Sequence, residues 1–158
     1  MKDRIDAPFS LLNHTGILTV EEINNPNTWD STGDRIRRVL KRGSKTNLTV
    51  GTLSRFMSFV RHYYTNGSTT ESIELAILPH ENQTKTGSFS KEGDSGAAIL
   101  TPSGQFVGLL TSGTNKGTNA SDITYATPFK YIWDLVLEQY PGASLCWDDV
   151  QAILAAPA

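Results

Sequence analysis

Cysteine is almost absent from this chain. Cys146 is the one thiol in 158 residues, so no internal disulfide can form and packing alone must hold the fold. There is no long apolar run either. No stretch approaches the roughly 20 residues that a membrane-spanning helix requires, and Met1–Asp6 opens nothing resembling a signal peptide. No membrane partner is expected. A single thiol suits a reducing compartment, which tilts the expectation toward the cytoplasm without fixing a location. Excess charge is lacking too: 14 basic against 16 acidic residues give a net charge of −2. That balance supplies no general field for DNA, RNA or anionic lipid. The one basic concentration, Arg35, Arg37, Arg38, Lys41 and Arg42, reads as a solvated strand and turn. No metal cluster, phosphate loop or cofactor motif occurs, so neither metal nor cofactor is expected. The Asn-x-Ser/Thr sequons, at Asn13, Asn47, Asn66, Asn82 and Asn119, would matter only in a secreted chain.

What the sequence does contain is short apolar runs set between Gly, Ser, Thr and Asn. Hydrophobic residues make up 38% and charged residues 19%, a balance that predicts a soluble globular domain with its own core. Residues 1–35 read as irregular, apart from a capping box at Thr19-Val20-Glu21-Glu22 that starts a helical turn ended by Asn24–Asn27. Strands are predicted at Ile36–Lys41, Leu48–Tyr64, Ser72–Leu78, Ala97–Leu100, Gln105–Thr111 and Asp122–Ala126, each rich in β-formers and bounded by turn residues. The connections Gly43–Asn47 and Pro102–Gly104 read as hairpin turns. Six such strands suggest a small antiparallel barrel or sandwich. From Pro128 to Tyr140 the apolar residues fall at 129, 132, 133, 136, 137 and 140, the spacing of a helix with one buried face. Thr127 is expected to cap that helix and Pro128 to occupy its first position. Residues 146–158 are expected to form a short docked tail.

The segment that carries chemistry is Phe89-Ser90-Lys91-Glu92-Gly93-Asp94-Ser95-Gly96, followed by the apolar Ala97–Leu100. Gly-Asp-Ser-Gly ahead of a short apolar strand resembles the nucleophile loop of chymotrypsin-like serine proteases. Phe106–Gly113, ending in Ser112-Gly113, resembles the family's pocket-lining strand. Ile123–Pro128 resembles its last barrel strand. Gly43-Ser44-Lys45-Thr46-Asn47-Leu48-Thr49-Val50-Gly51 is similar to the first hairpin of the second barrel in disulfide-poor microbial and fungal members. The likeness covers roughly residues 36–140, in order.

This resemblance implies an all-β fold: a six-stranded antiparallel Greek-key barrel of the trypsin-like type with a C-terminal helix. Residues 36–145 would form that barrel and helix, 1–35 a connector after an N-terminal barrel missing from this sequence, and 146–158 the tail. It implies a serine endopeptidase acting on polypeptide, with Ser95 as nucleophile. The backbone amides of Gly93 and Ser95 would form the oxyanion hole, and Asp94 would stabilise the loop. In many members that aspartate pairs with a newly cut N-terminus, a partner nothing in this sequence identifies. Phe89, Ser90, Thr111, Ser112 and Gly113 would line the substrate pocket. Phe89 stands where trypsin-type members carry an aspartate, so a basic preference is not implied, and Phe89 reads equally as core.

The histidine and aspartate of the triad have no counterpart here. His14, His62 and His80 each read as surface or structural, His14 being the least unsuited substitute. Little or no turnover is therefore expected. The alternative is a pseudoprotease that binds peptide without cutting it, and a truncated gene model is a third reading.

Overall fold

The computed structural model describes residues 16–80, 88–114 and 123–145. The chain order is β1 (Gly16–Ile17), α1 (Val20–Asn24), β2 (Thr28–Trp29), β3 (Arg35–Gly43), β4 (Asn47–Tyr63), β5 (Thr69–Pro79), β6 (Ala98–Leu100), β7 (Gln105–Thr114), β8 (Ile123–Pro128) and α2 (Phe129–Gln139). Six strands close on themselves in the order β3-β4-β5-β8-β7-β6 and back to β3. Every pairing in this ring is antiparallel. β5 and β6 follow one another in sequence but not in space, so the chain crosses the barrel there, as a Greek key does. The protein is thus an all-β barrel with a C-terminal helix, as the strand pattern predicts.

Closure pairs each strand of the ring on both sides over part of its length, but it demands sharp bending. Register shifts supply it at Leu53/Met57, Ile99/Leu100 and Leu110/Ser112. Inside lie Val39, Leu53, Leu75, Ile77, Phe89, Ile99, Val107, Leu110 and Ala126, all buried. Past its bulge, β4 leaves the barrel and pairs with β5 alone as a two-stranded arm, Met57↔Leu75 out to Tyr63↔Thr69. The face that is buried at Leu75 continues outward through the exposed Phe59, Ile73 and Tyr63.

Three local expectations are corrected. The basic run is not uniformly solvated. β3 alternates, so Arg37, Val39, Lys41 and Gly43 turn inward and are buried. The described part of the segment before β3, from residue 16 on, is not irregular. β1 adds to β7 in parallel and β2 pairs with β3, while Leu18 and Ile23 join the core. Its capping box is present: Thr19 Oγ1 accepts from Glu22 N at 3.2 Å, and Thr19 N donates to Glu22 Oε2 at 2.8 Å. Lastly, Pro128 is the N-cap of α2 rather than its first residue, and Thr127 makes no cap because its hydroxyl donates to Glu74 at 3.4 Å. The helix turns Phe129, Ile132, Trp133, Val136 and Leu137 toward the barrel, half-buried, and leaves Tyr140 exposed. Phe129 stacks on Phe106 with ring centroids 4.5 Å apart.

Candidate active site

The turn that carries Ser95 is built by the hairpin between β3 and β4. Asp94 is 1% exposed, and a buried carboxylate is tolerated only if donors surround it. Five do: Lys41 Nζ at 3.1 Å, Thr46 Oγ1 at 2.6 Å, and the backbone N–H groups of Lys45 (2.7 Å), Lys91 (3.1 Å) and Thr46 (3.4 Å). The Lys41 ammonium also donates to Thr46 Oγ1 at 2.5 Å. Burial pushes the Asp94 pKa up, but the donations from Thr46, Lys45, Lys91 and Lys41 outweigh it and hold the acid well below the usual carboxylate range. At Lys41 burial wins, and its pKa falls below that of an ordinary lysine although Asp94 opposes the shift. The pair is asymmetric because Asp94 has five donors while the ammonium has two acceptors.

The spaced Gly and Thr residues of the hairpin now have physical reasons. A Cβ on Gly43 would stand 2.2 Å from Asp94 Oδ1, so no side chain fits there. Thr46 donates to Asp94. Thr49 donates to the Phe89 carbonyl at 2.8 Å. A Cβ on Gly51 would meet the Phe89 ring at 2.8 Å. Ser44 donates to the Gly93 carbonyl at 2.7 Å. Every member of the pattern therefore faces residues 89–94, some 40 to 50 positions away in sequence.

Ser95 itself is exposed. Its hydroxyl reaches the Thr111 carbonyl at 3.5 Å, the outer limit of a hydrogen bond. Gly93 has φ +94°, a left-handed conformation that glycine adopts without strain. Among the described residues, the amides of Gly93 and Ser95 have no acceptor, whereas Asp94 N donates to Lys91 O and Gly96 N to Leu110 O. Two donors at the turn are thus left for something else. Beyond Leu110, the residues Ser112–Thr114 pair with β8 on one side and, among the described residues, with no strand on the other.

The expected pocket residues divide. Ser90 hydrogen-bonds Thr124 through their hydroxyls at 2.7 Å, and a Cβ on Gly113 would lie 3.8 Å from Ser90 Oγ. Thr111 donates to the Tyr125 carbonyl at 3.2 Å, beside the half-buried Ser112. Phe89 is a correction: its side chain is fully buried in the core under the Lys41 ammonium, 5.4 Å from the ring centroid, where substrate cannot touch it. Thr124 was missed. It lies on the inward-facing side of β8 with Ala126, fully buried, and a buried hydroxyl at such a position implies a partner.

No imidazole meets Ser95 among the described residues. His62 lies on the exposed arm opposite Thr70. His80 lines a cavity of about 470 Å³ on the outer side of β3–β5 with Asp30, Arg38 and Thr52. His14 lies outside the described residues, as do Cys146 and the 146–158 tail. Among the described residues no three His, Cys, Asp or Glu side chains cluster as metal ligands would.

No protein-family model matches the chain, and no curated protein matches it. Solved structures similar to it include the chymotrypsin of Cellulomonas bogoriensis, at 23% identity and a TM-score of 0.42, covering 66% of this chain and 47% of that one. Another is a serine protease specific for glutamic acid, described as using a histidine triad in substrate binding, at 21% identity and a TM-score of 0.42, covering 66% and 46%. The chain spans just under half the length of these proteins.

Proposed function

We propose that Ser95 is the nucleophile of a serine-type peptidase centre of the trypsin-like kind, acting on polypeptide by acyl transfer. Its hydroxyl would attack the scissile carbonyl carbon, the C–N bond would break, and the hydroxyl proton would pass through a base to the leaving amine. The amides of Gly93 and Ser95 would donate to the oxyanion. One observation carries this reading: an exposed serine on a turn locked from beneath by Asp94, with those two amides lacking acceptors among the described residues. The open side of Ser112–Thr114 suits an extended peptide added as a strand. Ser90 and Thr124 would give the pocket beside it a hydroxyl-lined character.

The step left without a residue is activation of the serine, because Ser95 Oγ meets a carbonyl and no base among the described residues. That same fact favours the second reading, a module that binds peptide along Ser112–Thr114 without cutting it. A fluorophosphonate separates the two, since capture requires Ser95 Oγ to attack phosphorus and expel fluoride. Capture by the intact protein, abolished in Ser95→Ala, supports the peptidase centre. Peptide binding with no capture selects the binding module.

A further inference from the structure

We infer that Lys45 makes this site select polypeptides that carry a carboxylate side chain next to the residue held at Ser95. The inference rests on the reading of Ser95 as the point where polypeptide is held. The backbone of Lys45 is fixed, since its N–H donates to Asp94 Oδ1 at 2.7 Å. Its side chain lies across Gly93: Cγ and Cε both come within 3.1 Å of where a Cβ on that glycine would stand. Glycine at 93 therefore also makes room for the lysine stem. Lys45 is exposed, and its ammonium is one bond beyond a Cε that lies over Gly93, a candidate oxyanion donor.

The surrounding charges leave this cation effective. Asp94, which follows Gly93, is buried and already paired with Lys41. On the turn itself Lys91 adds a second exposed cation and Glu92 one exposed anion. Among the described residues of this rim, Lys45, Lys91 and Glu92 sum to a positive charge, although the protein as a whole is net negative. A chain lying across Ser95 passes this rim, and a carboxylate on it gains an attraction that a neutral amide does not.

The test uses the intact protein and three fluorescein-labelled heptapeptides, identical except for a central Glu, Gln or Lys, followed by fluorescence anisotropy. For an exposed charge contact, the Glu peptide should bind about two- to fivefold tighter than the Gln peptide at low salt, and the ratio should shrink at high salt. Lys45→Met keeps an apolar stem over Gly93 and removes the charge, so it should bring the ratio to one. Lys45→Glu should favour the Lys peptide. A Glu/Gln ratio of one in the wild type, a ratio unchanged by Lys45→Met, or no binding of any peptide would each overturn the inference. Fluorophosphonate capture of the same samples reports on Ser95 separately. Lys45-dependent selection without capture keeps this inference and removes the peptidase reading. Capture without selection does the reverse.

Discussion

Removing the charge of Lys41 should loosen the Ser95 turn by a predictable amount. The Lys41–Asp94 pair has both side chains fully buried, and breaking such a pair by deleting one partner typically costs about 3–5 kcal/mol. In Lys41→Met the carboxylate keeps Thr46 Oγ1 and three backbone donors, which places the cost near the lower end, about 3 kcal/mol. In Asp94→Asn the ammonium keeps Thr46 Oγ1 as its uncharged acceptor, which places that cost nearer about 5 kcal/mol. The double variant leaves no unmatched buried charge and should lose less than the sum of the two, because apolar or neutral replacements of buried pairs are often close to neutral. Urea unfolding followed by tryptophan fluorescence measures all three, and for a chain of this size about 3 kcal/mol corresponds to roughly 6–12 °C in Tm. The pH dependence has a definite sign. Asp94 has a lower pKa folded than unfolded, so the unfolded chain binds more protons in acid. Its contribution is complete above about pH 4 and declines as the pH falls through the depressed folded value. Asp94→Asn should therefore flatten the acid limb of the stability curve. Two single substitutions that each cost under about 1 kcal/mol, with a strictly additive double, would refute the idea that this pair locks the turn.

Two further outcomes are expected. Gly43→Ala puts a methyl 2.2 Å from Oδ1 of a carboxylate that five donors together hold in place, so it should destabilise by about 2–3 kcal/mol, and hydrogen exchange should rise at residues 91–96 before it rises in the barrel strands. Thr19→Ala removes a cap whose hydroxyl and partner Glu22 both take part; a loss of about 1 kcal/mol is expected in urea unfolding, with no change in the exchange of the Ser95 turn.

The strands and the helix were legible because their signals are local. Turn residues bracket each strand, and the apolar spacing of α2 anticipates the half-buried face, Tyr140 apart. The inward course of β3 was less legible. A run of five basic residues reads as solvated, since a buried lysine is rare without a partner, and the partner here is 53 positions away. The alternation Arg37, Val39, Lys41, Gly43 was present in the sequence, but choosing which face turns inward required knowing that Asp94 lies inside. Phe89 was ambiguous for a related reason: wall and core differ by a rotation of one side chain, which spacing does not encode. The two-residue strands β1 and β2 lie below the length at which periodicity carries any signal.

The packing beneath Ser95 constrains how a base could ever reach it. On the buried side of the turn, Asp94, Lys41, Thr46 and the Phe89 ring fill the space, and their donors and acceptors are already committed to one another. An imidazole inserted there would displace a charge pair and leave at least one buried group without a partner, a cost comparable to that of breaking the pair itself. On the exposed side no such buried network stands in the way among the described residues, and the Ser95 hydroxyl has only a weak carbonyl contact to give up. If Ser95 is the nucleophile proposed above, a base would therefore approach it from the solvent-facing side. On that reading, placing the turn and activating its hydroxyl would be separable tasks, because the groups that hold the Asp94 carboxylate are spent on it and not on the Ser95 hydroxyl.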